Sequence, residues 1–180
     1  MTTKTRANQK TKKTSVKEPV TVTDTAKVTI TMSIDQAYYV MNALELHARL
    51  HIGQFDHLDW EFVSHGKERD FWKDQEQRDQ LRVHLNGARD IIFPELKRLG
   101  IGASHGIFNQ SSIGECAHVA WDMYQCVRYQ VAYYRNPTPD EVTGWSVSYN
   151  RPMRSSELHE MPTVEIMKDG KNISKPVKYL

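Results

Sequence analysis

Residues 27–32, Lys-Val-Thr-Ile-Thr-Met, alternate polar and apolar positions, with β-branched residues at four of the six, and predict a strand. Ser33 followed three residues later by Gln36 is a capping box, and apolar positions recur from there at helical spacing to about Ile52. Gly53 stands where a helix needs a residue that tolerates a left-handed backbone. Ala37, Met41, Leu44 and Ala48 make one apolar stripe of this helix, and Tyr38, Val40, Leu46 and Leu50 cover much of the rest. A helix apolar on most faces is expected to be central and buried. Glu45 and Arg49 stand four apart in the favourable order and are expected to pair.

The pattern then turns amphipathic. Residues 67–93 are heavily charged, with Leu81, Leu85, Ala88 and Ile92 at core spacing, and predict a surface helix broken at Pro94. Residues 100–114 read as a loop of Gly, Ser, Asn and Gln, long enough to be functional or mobile. Ser112 and Glu115 form a second capping box, opening a helix that runs to about Tyr134. Ala120, Met123, Val127, Val131 and Tyr134 line its expected core side. Glu115, His118, Asp122 and Gln125 form another stripe, which reads as a solvated polar face. Residues 145–149 alternate as a strand, and 163–174 read as a hairpin turning at Asp169-Gly170 in the type I′ manner. The fold class expected is α+β: about three helices packed with a small antiparallel sheet, in one domain over 26–180, after a disordered basic tail over 1–25.

Composition changes this picture little; charge changes it more. Apolar residues make 39% of the chain and charged residues 26%, as in an ordinary globular protein. No run approaches the roughly 18 apolar residues that span a bilayer, and nothing at the N-terminus resembles a secretory signal, so no membrane association is expected. The net charge of +2 conceals an asymmetry. Lys4, Arg6, Lys10, Lys12, Lys13 and Lys17 stand without an acid among the first seventeen residues, while the remaining chain has more acids than bases. Such a tail can follow phosphates, though no aromatic residue is interleaved for stacking. Cys116 and Cys126, ten apart on one helix, would be separated by about 15 Å along its axis. That is too far for a disulfide, and two free thiols in a reducing compartment are expected.

Several constellations could carry chemistry. Glu115 and His118 form Glu-x-x-His with Asp122 one turn on, the way helical bundles present metal ligands, yet no second such motif exists to complete a two-metal site. His47 and His51 are four apart, also compatible with a metal, but lack the Glu that follows the first His in metalloproteases. A hydrogen-bonded histidine pair at the helix end is the expectation there. Gly102-Ala103-Ser104-His105-Gly106 fits the nucleophile elbow of serine hydrolases without the strand and helix that present one. The acids Asp70, Asp74, Glu76 and Asp79 alternate with bases and read as a solvated face. Arg128 shares a stripe with Trp121 and Tyr124 and is expected to bridge structurally, to an acid such as Glu45. Arg151 and Arg154 add two guanidinium groups in an irregular loop. A small anionic ligand would be sought at Arg128, Arg151 and Arg154.

Three stretches carry a resemblance: Ala43-Leu44-Glu45-Leu46-His47-Ala48-Arg49 through Gly53-Gln54-Phe55, Tyr124-Gln125-Cys126-Val127-Arg128, and Arg151-Pro152-Met153-Arg154-Ser155-Ser156 to Pro162. Over roughly residues 30–165 the chain resembles a family of small tailed-bacteriophage accessory proteins, with His47 where such proteins often have Tyr. The resemblance implies an accessory protein acting in the host cytoplasm, in takeover or counter-defence. The leading expectation is therefore a non-enzymatic binding protein that engages a host protein or a small anionic ligand through Arg49, Gln54, Arg128, Arg151 and Arg154, with no cofactor. The alternatives are a metal-dependent enzyme on phosphorylated nucleotides using Glu115, His118 and Asp122, and a protein that touches nucleic acid weakly through its basic tail.

Overall fold

The computed structural model describes residues 28–59, 75–109, 111–138, 149–157, 159–177 and 179. The chain divides into two compact units, Met1–Thr31 and Met32–Leu180. In the first, residues 28–31 are exposed and belong to no strand. The strand expected over 27–32 is thus not formed over 28–32: alternation marks a strand only where one face has a layer to cover, and Val28 and Ile30 both face outward. The basic tail over 1–25, residues 67–74 of the helix expected over 67–93, and residues 145–148 of the strand expected over 145–149 lie outside the described residues; Tyr149 is described and belongs to no strand.

The second unit is mostly helical, with a two-stranded antiparallel hairpin. Helix α1 (Ile34–His51) starts at the capping box: the Gln36 N–H donates to Ser33 Oγ at 3.2 Å, and the Ser33 N–H donates to Gln36 Oε1 at 2.8 Å. It ends in a Schellman motif. Gly53 N–H donates to the Leu50 carbonyl and Gln54 N–H to the Arg49 carbonyl, with Gly53 at φ +88°. Helix α2 (Gln75–Ile92) stops before Pro94, which opens the single turn α3 (Pro94–Lys97). Helix α4 (Glu115–Arg135) is the longest. Strands β1 (Met167–Lys168) and β2 (Lys171–Asn172) pair Met167 with Asn172 across Asp169 (φ 51°) and Gly170 (φ 74°), the expected type I′ turn. Both strands are exposed, so the hairpin does not form a layer against the helices.

Helices α1 and α4 pack antiparallel. His51 meets Cys116 at one end, Arg49 lies over the Trp121 ring in the middle, and Arg135 lies over Tyr38 at the other end. Of the two, α4 is the central helix: eleven of its residues are buried, whereas α1 buries only Ala48 completely and leaves Tyr39 and Val40 exposed. The all-round apolar surface of α1 is therefore not a buried one. Among the described residues, irregular chain wraps α4 and not α1, chiefly residues 150–157, 159 and 173–177. On α2 the expected stripe also shifts. Ala88 and Ile92 are exposed, and the buried position is Arg89, which donates to Asp90 and to the Ala103 carbonyl.

The loop over 100–114 contributes core. Ile107 and Ile113 are buried against Ile52 and Ala117, with Trp121 packed on them, and the His105 N–H donates to the Ile52 carbonyl at 2.8 Å. The second capping box does not form. Gly114 is the N-cap of α4 and no side chain caps it, because burying Ile113 draws Ser112 back into a turn on Asn109.

Candidate functional site

The polar stripe of α4 faces inward. His118, Asp122 and Gln125 are each at most 2% exposed, contrary to the solvated face expected from their spacing. What they face is a segment, residues 150–157 and 159, with no backbone ladder of its own. Buried backbone groups need partners, and here side chains supply them. Asp122 accepts the Ser155 N–H at 2.9 Å through Oδ1 and His159 Nε2–H at 3.0 Å through Oδ2. Gln125 donates to the Met153 carbonyl at 3.1 Å and accepts the Met153 N–H at 2.9 Å. Gln130 repeats the device on Lys175, at 2.8 and 2.9 Å. Ser155 Oγ donates to the His118 carbonyl and also lies 3.3 Å from His118 Nδ1. Burial holds the His118 ring below the ordinary imidazole range, against the opposing pull of Asp122. These contacts turn two of the expected site residues, His118 and Asp122, into a clamp together with Gln125.

The arginines expected to collect an anion separate accordingly. Arg128, 6% exposed, lies over the Tyr124 ring and donates to the Asn150 carbonyl at 3.0 Å; its bridge goes to a backbone oxygen and not to an acid. Arg154 donates to the carbonyls of Ser156, Glu157 and His159 and pairs with the Glu157 carboxylate. Arg151 is exposed. Glu115 is exposed while His118 and Asp122 point into the clamp, so the three do not converge as a ligand set. Ser104 lies in irregular chain, accepting from Gln54 Nε2 at 3.3 Å, with neither a strand before it nor a helix after it.

Arg49 and Gln54 lie elsewhere. Arg49 donates twice to Glu45 Oε1, at 2.9 and 2.7 Å, as expected, and through NH1 to Gln54 Oε1 at 2.6 Å. The Schellman turn at Gly53 brings Gln54 back toward Arg49. The pair lines a cleft of about 800 Å³, whose other walls include Arg78, Arg82 and Asn86 from α2 and Gly102 from the following loop. Arg82 Nε–H donates to the buried Asp59 at 2.9 Å. Arg78 donates to the neutral Gln75 amide, and its Nε–H has no partner. Among the described residues no carboxylate pairs with Arg78, and it stands one helical turn from Arg82 on the lining of the cleft. Sequence reading missed Arg78 and Arg82 because both sit within the mixed-charge run of α2, where nothing local separates a cleft arginine from a solvated one.

A second group missed from sequence joins His47, His51 and Cys116. The histidine rings lie 4.4 Å apart between centroids, and Cys116 Sγ is 3.5 Å from His51 Nδ1. The i, i+4 histidines signalled half of it, but the thiol comes from 65 residues away.

No protein-family model, curated protein or solved structure matches this chain. Among the described residues, no helix is long and apolar enough to cross a membrane.

Proposed function

We propose that the protein is a non-enzymatic binding protein that takes a small phosphorylated or carboxylated anion in the cleft between the C-terminal end of α1 and α2. The observation that carries this reading is the pair Arg78 and Arg82 on one face of α2, lining a hollow of about 800 Å³ with Arg78 unpaired by any acid among the described residues. Guanidinium forks match phosphate and carboxylate oxygens two at a time, and a partly enclosed site strengthens each such bond. Arg49, already committed to Glu45 and Gln54, acts as the fixed wall that sets the Gln54 amide. Asp56 and Asp59 also line the cleft. Asp59 orients Arg82, and the two acids discriminate against anions whose charge is not aimed at α2.

The resemblance to phage accessory proteins supports a host cytoplasm as the setting, where sequestering a charged metabolite would serve takeover or counter-defence. The test is calorimetric titration of the whole chain with inorganic pyrophosphate and with ATP. One equivalent is expected to bind, more weakly as salt rises, with Arg78→Gln and Arg82→Gln each weakening binding by about tenfold or more. Binding of neither anion, or binding untouched by both substitutions, refutes the reading.

A further inference from the structure

His47, His51 and Cys116 take no part in the cleft, whose lining includes none of them. They join the end of α1 to the first turn of α4. Four-residue spacing puts both imidazoles on one face of α1, on the side away from Arg49. One donor atom from each of the three residues lies within 4.8 Å of the others. Cys116 Sγ lies 3.5 Å from His51 Nδ1 and 3.9 Å from its Nε2.

We propose that these three side chains form a binding site for a zinc-class divalent ion, with a fourth coordination position open to solvent. Tetrahedral zinc with bonds of about 2.3 Å to sulfur and 2.0–2.1 Å to nitrogen sets its ligands about 3.5 Å (S to N) and about 3.3 Å (N to N) apart. The sulfur and the His51 ring already stand at that separation, so closing the site requires only side-chain rotation. One thiolate and two neutral imidazoles select a borderline-soft ion over magnesium or calcium. Three protein ligands and an open position are the arrangement of an exchangeable or reactive site, whereas a closed structural site has four. An ion here would tie the two antiparallel helices together beside the Ile52, Ile113 and Ala117 core.

The test is a cobalt(II) titration of the reduced, chelator-treated full chain, read by absorbance. One equivalent should bring up a thiolate-to-cobalt charge-transfer band in the near ultraviolet, and zinc should abolish it by competition. Cys116→Ser should remove the band, and His47→Gln and His51→Gln should each weaken binding by about tenfold or more. His84→Gln, an exposed histidine on α2, should change neither. Should a variant fail to fold, wild-type protein alkylated at Cys116 gives the same readout without mutation and should show no band. Absence of the band in the wild type, its survival in Cys116→Ser or after alkylation, or unchanged affinity in both histidine variants overturns the proposal.

Discussion

Asp122 and Ser155 are joined at 2.9 Å across 33 residues of sequence, a carboxylate oxygen on the central helix taking the N–H of a segment with no ladder to satisfy it. The other oxygen of the same fully buried carboxylate holds His159. Removing one member of such a set leaves buried donors without acceptors. Asp122→Ala should therefore cost about 3–5 kcal/mol, and Asp122→Asn less, since the amide oxygen still reaches the Ser155 N–H. Urea unfolding followed by circular dichroism measures both. Equal losses would mean that the charge and not the Ser155 bond carries the effect.

Gln125 and Gln130 each serve both backbone groups of one residue, Met153 and Lys175 respectively. Gln125→Leu and Gln130→Leu should each destabilise by about 1–3 kcal/mol. Because the two segments share no partner, the double variant should show the sum to within about 0.5 kcal/mol. Amide exchange should quicken at Met153 in the first variant only and at Lys175 in the second only.

Gly53 combines φ +88° with a close neighbour: a Cβ there would stand 2.6 Å from Leu96 Cδ1, so the buried Leu96 side chain would have to shift. Gly53→Ala should cost about 2 kcal/mol or more, from the left-handed backbone and the displaced Leu96 together. Gly87→Ala is the control, with open space around it in a helix interior, and should be neutral or stabilising. A melting temperature unchanged in Gly53→Ala would contradict the turn geometry that sets Gln54.

The two thiols should behave differently. Burial pushes the Cys126 thiol up to about 11 from an ordinary 9, while Cys116 is exposed. Iodoacetamide at pH 8 should modify one thiol per native chain, at Cys116 by peptide mapping, and two after unfolding. The shift also sets a sign. Between pH 9 and 11 the folded state keeps a proton that the unfolded state has lost, so Cys126 contributes stability that declines as pH rises through that window. Cys126→Ala should flatten that part of the stability curve.

Local features were legible in the sequence because their causes are local. The Ser33–Gln36 capping box, the Gly53 stop, the Glu45–Arg49 pair and the Asp169-Gly170 turn each depend on residues within a few positions. The inward polar stripe was not legible. His118, Asp122 and Gln125 have the spacing of a solvated face, and the demand of Met153 and Ser155 for backbone partners turns that face inward. Arg128 and Arg154 went to carbonyls for the same reason. The cleft depends on how α2 and the Gly53 turn meet, and the metal cluster on a thiol 65 residues from its histidines, so neither leaves a periodic trace. Phe93, packed edge-on between Phe55 and His105, sets that meeting without any sequence signature.

The most direct test of the anion-binding reading is to locate a bound anion by amide chemical shifts in uniformly ¹⁵N-labelled full-length protein titrated with pyrophosphate. Saturable shifts at Gln54, Asn86 and Gly102, lost in Arg78→Gln, are the predicted result. Shifts confined to residues 151–154, or none anywhere, would contradict it.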